Sequence, residues 1–477
     1  MTEIIINLFK YINILFLGIF VFSIFARIKM NSIEELDESE NFLSPLMIGL
    51  YSMSSFFLLF IKPTDIYSFS GFDYYSGLSL FLFLLIYYSF RKITSDLLKS
   101  NLIFYDMAFI LMAVGIPVIY RLDPELGMKQ MQFVFIGATA FLILQLVLKL
   151  FADKIKIKIT LWPFALAAIF ILLLTTQFFG SFINGSKNWI RLGGIAIQPS
   201  EFIKIIYIYF LACTLDKQLT LRRFLFVGGA VAAICGFFVL QRDLGSAFIF
   251  LAVFMCFLLI RDKHFIFFGT TVIFTSVFAF IAFLSFSHIK TRVYSWLDPW
   301  KYVSNESYQI TQSLFAIASG GLFGRGFTMG DPLAIPAVST DFIFAAICEE
   351  LGIITGIMIL LVFLGLTFVG FQLAGKISNQ KAAGVVIGLT TINAVQTLVI
   401  IMGVTNLIPI TGVTLPFVSY GGSSLLYQFL NLSILTFLFD RYINNRKERN
   451  RDDLIELLEH RFRTKKKIKK PIQGEEL

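Results

Sequence analysis

The stretch "VSTDFIFAAICEELGIITGIMILLVFLGLTF", residues 338–368, decides the class of fold. Asp341, Glu349 and Glu350 stand at its start, and no charged residue follows them within the stretch. A helix needs about 20 apolar residues to cross the hydrocarbon core of a bilayer. We therefore predict one long membrane-spanning helix over residues 341–374, begun by Asp341, and its three carboxylates need a physical reason.

The composition of the whole chain is that of a membrane protein. Hydrophobic residues make up 57% of its 477 residues, charged residues make up 15%, and the mean hydropathy is +0.79. Soluble domains are only about half apolar. We predict an all-α polytopic membrane protein. Its twelve other spans are expected at residues 5–25, 45–62, 74–90, 103–120, 131–149, 160–179, 201–214, 222–240, 244–260, 264–285, 382–404 and 419–440.

The basic segments predict an orientation. Much of the net charge of +9 lies in the tail after Asp440, which is typical of a cytoplasmic tail beside anionic lipids. Counting the spans backwards from this tail also puts basic loops inside and Met1 outside; these loops are 91–100, 154–160, 216–223, 261–263 and 375–381. We expect no nucleic acid partner, because no groove-reading motif accompanies the charge.

The same count predicts the domain organisation. Residues 1–100 form an N-terminal extension with about three spans, and residues 101–440 form a core with ten spans. A large extracytoplasmic loop is expected at about 286–340. Residues 441–477 form the basic tail, with an amphipathic helix at 452–462 lying at the membrane interface.

Several kinds of chemistry have little to build on. The four cysteines lie in apolar stretches without CxxC spacing, and the three histidines are far apart. This pattern favours packing cysteines and leaves no basis for a histidine metal site or a Ser/His/Asp triad. No Walker motif is present, so we expect no direct use of ATP.

Polar residues gather in five clusters at the predicted outer face. The first, "NGSKNWIRLGGIAIQPSEFIK" (184–204), carries Lys187, Trp189, Arg191, Glu201 and Lys204. Glu201 and Lys204 share one helix face, where they form either a simple surface ion pair or a functional pair at the membrane. The remaining clusters are "QRDLGSA" (241–247) with Asp243, "TRVYSWLDPW" (291–300) with Arg292, the Asp341 segment, and the Pro- and Gly-broken stretch "NLIPITGVTLPFVSYGGSS" (406–424).

The carboxylate of Asp341 has two interpretations on residue chemistry alone. It either caps a helix, because a helix N-terminus favours negative charge, or acts as a general base. Glu349 and Glu350 would lie about 12 Å further along the helix. A glycosidase pair needs roughly 5 to 10 Å, so a two-carboxylate hydrolase is disfavoured.

These clusters, in this order, resemble the SEDS family of bacterial membrane proteins, the RodA/FtsW/SpoVE group. The resemblance covers residues 103–440, and its catalytic Asp corresponds to Asp341 in "STDF". It also implies substrate-binding roles for Trp189, Glu201, Lys204, Asp243 and Ser419 in the matching motifs. Thr340 is a further substrate-binding candidate beside Asp341, and Lys187, Arg191, Lys204, Arg242 and Arg292 are candidates as cations for an anionic substrate group. Two positions depart from the family pattern, since Ser339 replaces a His and Arg242 replaces a Pro.

The resemblance implies a peptidoglycan glycosyltransferase that polymerises lipid II at the outer face of the cytoplasmic membrane, in cell shape, division or sporulation. It implies a class B penicillin-binding protein as partner. No cofactor is required for this chemistry, although Asp243 or Glu201 could hold a divalent cation such as Mg²⁺ or Mn²⁺. The alternatives are a lipid II flippase and a non-catalytic scaffold for the penicillin-binding protein.

Overall fold

The computed structural model describes residues 2–30, 43–61, 63–65, 68–69, 73–152, 161–183, 185–193, 195–215, 219–260, 265–303 and 307–468. The basic loops predicted at 154–160 and 261–263 lie outside the described residues. So do residues 216–218 of a third basic loop and residues 469–477 of the predicted tail.

Most of the described chain is helical. Three helices form the N-terminal extension: α1 (Thr2–Met30), α2 (Leu43–Ile61) and α3 (Tyr74–Lys92). A small hairpin joins α2 to α3, made of β1 (Pro63–Asp65) and β2 (Ser68–Phe69), and a π-helical turn at Ile93–Leu97 follows α3.

The helices α4 to α16 follow within the described residues. They are α4 (Ile103–Leu122), α5 (Pro124–Leu150), α6 (Trp162–Phe179), α7 (Pro199–Thr214), α8 (Leu221–Leu240), α9 (Leu244–Ile260), α10 (Phe265–Ser285), α11 (Ser287–Leu297), α12 (Tyr308–Gly320), α13 (Ile343–Leu351), α14 (Ile353–Lys376), α15 (Gln380–Val404) and α16 (Gly422–Ile468).

The prediction of an all-α polytopic membrane protein is confirmed. In the part of the chain that the structure describes, 11 helices are long and apolar enough to cross a membrane. Two shorter helices, α7 with 16 residues and α9 with 17, coincide with two further predicted spans. The last helix, α16, continues without a break through the segment at 452–462 that was expected to be amphipathic.

The single helix predicted over 341–374 is wrong. The chain breaks at Gly352, whose φ of +89° is a left-handed conformation that side chains rarely adopt. A Cβ at this position would lie 2.4 Å from the carbonyl oxygen of Leu322. Of these two helices, only α14 is long and apolar enough to cross the membrane. The other, α13, is a separate short helix of 9 residues.

The centre of the bundle is α4, in which every residue except Arg121 is buried. Side chains near both of its ends hold the extension. Asp106 accepts hydrogen bonds from Arg91 Nε at 3.2 Å and from Tyr87 Oη at 2.9 Å. At the other end, Tyr120 Oη donates to the Asp73 carboxylate at 2.9 Å. The extension is thus bound to the core by polar contacts as well as by packing.

A three-stranded antiparallel sheet precedes α7 and was not predicted. Its strands are β3 (Ser181–Ile183), β4 (Ser186–Leu192) and β5 (Ile195–Ile197), in that spatial order. Strand β4 carries Lys187, Trp189 and Arg191 of the first polar cluster, and α7 carries Glu201 and Lys204. Pro199 is the first residue of α7, as its fixed φ favours.

Candidate active site

The chain between α15 and α16, residues 405–421, has no regular secondary structure and forms the floor of the candidate site. It packs closely on two helices. A Cβ on Gly115 of α4 would lie 2.4 Å from Val418 O, and one on Gly245 of α9 would lie 2.7 Å from Thr411 O. Glycine at both positions therefore lets the irregular backbone approach the helices, as membrane depth requires.

Asp341 lies at the end of the loop that joins α12 to α13, residues 321–342, which we call the Asp341 loop. Ser419 Oγ donates to the backbone oxygen of Thr340 at 2.6 Å, which ties this loop to the floor. The side chain of Asp341 does not cap α13, because Phe342 is the N-cap residue and no side-chain capping bond forms. The capping interpretation is therefore wrong, and Asp341, Thr340 and Ser419 are brought together as expected.

The pKa of the Asp341 carboxyl group lies closer to neutral pH than that of an ordinary aspartate. Burial raises its pKa to about 6, against the opposing effects of the Thr340 hydroxyl and the Arg292 guanidinium. Its Oδ2 atom lies 3.7 Å from the point where a Cβ on Gly412 would be. A carboxyl group with this pKa beside a cation has the properties of a general base.

Arg292, on α11, is the cation whose charge acts on this carboxyl group. Its Nη1 donates to Ile410 O at 3.1 Å and to Thr411 O at 3.4 Å, so the floor holds the guanidinium. Burial lowers the pKa of Arg292, while the charges of Asp243 and Asp341 oppose this shift. One guanidinium thus interacts electrostatically with two carboxylates from different parts of the chain.

Asp243 serves as a structural cap. Its carboxylate accepts from the backbone N–H of Ser246 at 3.0 Å and from the Ser246 hydroxyl at 2.8 Å, at the start of α9. Asn188 Nδ2 donates to the same carboxylate at 2.7 Å and joins it to strand β4. These donors occupy much of the oxygen capacity that a substrate contact would need.

Glu201 and Lys204 form a pair inside the bundle. Lys204 Nζ lies 2.9 Å from both carboxylate oxygens of Glu201 and 2.9 Å from Oε1 of Gln396. Gln396 in turn donates to Thr414 O in the floor at 2.8 Å. Lys204 is 0% exposed, so the pair is buried, and Gln396 connects it to the floor.

The remaining residues of the first cluster lie on β4. Lys187 donates its backbone N–H to Gln241 O, and Trp189 pairs with Ser181 across the sheet. The Lys187 and Arg191 side chains make no hydrogen bond or ion pair with any other described residue, and Arg191 is exposed. The structure brings these side chains into no direct contact with Asp341.

Glu349 and Glu350 hold the other end of the Asp341 loop. Glu349 Oε1 accepts from the backbone N–H of Asp331 at 2.9 Å and lies 3.4 Å from Arg325 Nη1. Glu350 lies 3.6 Å from Arg121 Nε. Burial raises the pKa of Glu350 to about 7, against the opposing charge of Arg121. Glu349 therefore anchors the loop through its side chain, whereas the Glu350 side chain pairs with Arg121, whose Nη2 donates to Thr328 O in the loop.

These residues do not fit a resident divalent cation. Both oxygens of Glu201 bind Lys204, and the oxygens of Asp243 receive N–H and O–H donors. Within the described ranges, no three His, Cys, Asp or Glu side chains cluster as metal ligands.

Two buried glutamines of this site were missed by sequence reasoning. Gln396 joins Lys204 to Thr414 O in the floor. Gln130 of α5 donates to Ser419 O at 3.2 Å and accepts from Gly421 N at 3.3 Å. Each is an amide within an apolar span, and this local polarity was the available signal.

The family model described as a cell cycle protein of the FtsW, RodA and SpoVE type matches residues 94–441. The chain belongs to this family. The prediction of a SEDS protein is confirmed, and the helices α1 to α3 precede the matched region.

Curated relatives carry peptidoglycan glycosyltransferase names. RodA of Mycobacterium tuberculosis is 36% identical over 271 residues, which are 53% of this chain and 57% of that protein. The chain thus matches little more than half of that relative's length. The probable peptidoglycan glycosyltransferase FtsW of Bacillus subtilis is 34% identical over 62% of this chain and 76% of its own. Stage V sporulation protein E of the same organism is 38% identical over 53% of this chain and 71% of its own.

Solved structures share the fold. A chain of a peptidoglycan synthase complex, described as coordinating polymerization and crosslinking, aligns with a TM-score of 0.60 and 22% identity. That alignment covers 72% of this SEDS chain and 98% of the other. RodA of Thermus thermophilus aligns with a TM-score of 0.50 and 22% identity, over 72% of this chain and 97% of its own.

The two departures from the SEDS pattern have different structural settings. Ser339 is bound through its backbone, since its carbonyl oxygen accepts from Tyr420 N at 2.9 Å. Arg242 has a φ of +59°, and its carbonyl oxygen accepts from Ser186 Oγ. Its side chain is exposed. The backbone contacts at both positions do not depend on the side chain that the family usually has there.

Proposed function

We propose that this SEDS protein is a peptidoglycan glycosyltransferase that polymerises lipid II, a disaccharide-pentapeptide carried on undecaprenyl pyrophosphate. The observation that carries the proposal is the Asp341 carboxyl, whose pKa is raised to about 6 and whose loop is bound to an irregular floor beside Arg292. The names of the relatives support the same activity.

The reaction is a glycosyl transfer in which Asp341 acts as the general base. A sugar 4-hydroxyl attacks the anomeric carbon of the other substrate and forms the new C–O bond. Asp341 accepts the hydroxyl proton, and the C–O bond to the pyrophosphate breaks. The electron pair leaves with the lipid pyrophosphate, so the reaction needs no ATP. Removing a general base typically costs about 10²- to 10⁴-fold in rate.

The departing pyrophosphate needs cations, and we assign Arg292 this role first. Only its Nη1 bonds to the floor, so its other N–H groups remain for phosphate oxygens. Lys187, Arg191 and Arg242 are further candidates because their side chains have no partner among the described residues. Glu201, Lys204, Asp243 and Ser419 support the site instead, through the contacts already described.

The orientation that the basic segments predict would put this chemistry at the outer face of the cytoplasmic membrane, with the C-terminus inside. The division at about residue 100 and the loop at 286–340 remain predictions of the same reasoning. Apolar helix faces suit the lipid tail of the substrate. A class B penicillin-binding protein is the proposed partner, since the related complex couples polymerization to crosslinking.

The test is polymerisation of purified lipid II by wild type, Asp341→Asn and Asp298→Asn, each with a class B penicillin-binding protein. Asp298 is the matched control because it is an exposed carboxylate that follows α11. We expect glycan strands on a gel from wild type and the control, and none from Asp341→Asn, while all three keep the same melting temperature.

Other outcomes separate the alternatives. Polymer from Asp341→Asn would refute Asp341 as the base. No polymer from any protein would contradict the proposed activity. A lipid II translocation assay would then distinguish a flippase from a scaffold.

A further inference from the structure

The buried lysine of the extension is unusual for a membrane span. Lys10 lies in the candidate span of α1 and is 7% exposed. Ionisable groups inside a span are costly and are kept mainly where they serve a function. Lys10 lies outside the region that the family model matches, so the known features of the family do not account for it.

Lys10 contacts the Asp341 loop. Its Nζ donates to the carbonyl oxygen of Gly324 at 3.2 Å. Its neighbour Tyr11 packs edge-on against Phe323, with ring centroids 5.6 Å apart. One turn earlier, Ile6 lies so close that a Cβ on Gly326 would be 2.8 Å from its Cγ2. The first turns of α1 thus contact three consecutive parts of the loop.

Side chains anchor the same loop at other points along its length. Arg121 Nη2 donates to Thr328 O, Glu349 accepts from Asp331 N, and Ser419 donates to Thr340 O next to Asp341. Lys10 is the anchor that comes from the extension. The loop therefore leaves α12, is fixed by these side chains and by backbone hydrogen bonds to Glu349 O, Glu350 O and Tyr420 N, and ends at the proposed base.

We propose that Lys10 is a positioning residue for the glycosyl transfer, so that the N-terminal extension forms part of the catalytic apparatus. This inference rests on the proposed function. Loss of the Gly324 anchor gives the loop more freedom, and with it the carboxylate of Asp341. A displacement of about 1 Å in a reacting group can cost on the order of 10²-fold in rate, and a partial loss of positioning is expected to cost on the order of tenfold.

The test compares three variants of the full chain in detergent. Lys10→Met removes the donor and keeps the length of the side chain, whereas Lys10→Arg keeps a donor. Ile24→Ala is the matched control, because Ile24 packs α1 on Gly365 of α14 away from the loop. The readouts are kcat and KM for lipid II polymerisation, and hydrogen exchange of the backbone of residues 321–331.

We expect Lys10→Met to lower kcat about tenfold with little change in KM and to speed exchange in residues 321–331. Lys10→Arg is expected to restore both, and Ile24→Ala to change neither. Unchanged exchange in Lys10→Met would overturn the proposal, as would faster exchange with an unchanged kcat. An equal loss of kcat in Ile24→Ala would assign the effect to docking of the extension and would also overturn it.

The parallel Asp341→Asn assay keeps the two proposals separate. If wild type polymerises lipid II and Asp341→Asn does too, only the base assignment fails, and the Lys10 result stands on its own. If wild type makes no polymer, the positioning role falls with the proposed function. The exchange of residues 321–331 still reports in that case whether Lys10 holds the loop.

Discussion

The buried pair Glu201–Lys204 allows a sharp test of structural support against substrate contact. In Lys204→Met, Glu201 stays at 3% exposure and loses the ammonium that bonds to both of its oxygens. Breaking a buried ion pair on one side costs about 3–5 kcal/mol. The Oε1 atom of Gln396 loses its hydrogen-bond donor as well, which adds about 1 kcal/mol to the loss of stability. The double variant Glu201→Leu/Lys204→Met removes both charges and is expected to recover most of the lost stability.

The assay is thermal unfolding in detergent, followed by the reaction of a thiol dye with Cys213, which is 2% exposed on the same helix. We expect the single variant to melt several degrees below wild type and the double variant to melt close to it. Because Gln396 also bonds to the floor at Thr414, polymerisation should fall in parallel with stability. A Lys204→Met protein that melts like wild type but shows a raised KM for lipid II would refute the reasoning and assign Lys204 to the substrate.

Three further predictions concern the proposed base and its surroundings. The carboxylate is the form that accepts a proton and its pKa is raised to about 6, so kcat/KM should rise with pH through about 6 and fall tenfold per unit below it. Arg292→Gln removes a cation that favours the carboxylate, so the acid limb should move to higher pH; a limb that stays in place or moves down would contradict this. Gly412→Ala puts a methyl group 3.7 Å from Asp341 Oδ2 at a φ of +73°, and we expect a loss of stability of about 1–2 kcal/mol by thermal unfolding, together with slower polymerisation. Wild-type behaviour of this variant would show that the floor is not held in this conformation.

Hydropathy predicted the spans well, because the transfer of a segment into a bilayer depends mainly on its own residues. The span predicted at 244–260 agrees with α9, and the one at 264–285 differs from α10 by one residue. The three-stranded sheet was missed, since its strands are short and lie among polar residues with no clear alternation. The spacing of Glu201 and Lys204 predicted their contact, because the two positions share one turn of a helix.

The order of the motifs also predicted that Asp341, Thr340 and Ser419 belong to one site, which their hydrogen bonding supports. Other features depended on partners far away in the chain. The break at Gly352 exists because the carbonyl of Leu322 occupies the space that a side chain would need.

The sequence by itself determined the class of fold and the family, because a membrane span and a family motif are each formed by a local run of residues. Only the tertiary structure decided that Glu349 anchors a loop, that Glu350 pairs with Arg121 and that Lys10 reaches Gly324. The physical reason is that the environment of a charged side chain is set by whichever helices pack around it. Lys10 and Gly324 are 314 residues apart in this chain, beyond the reach of any local pattern.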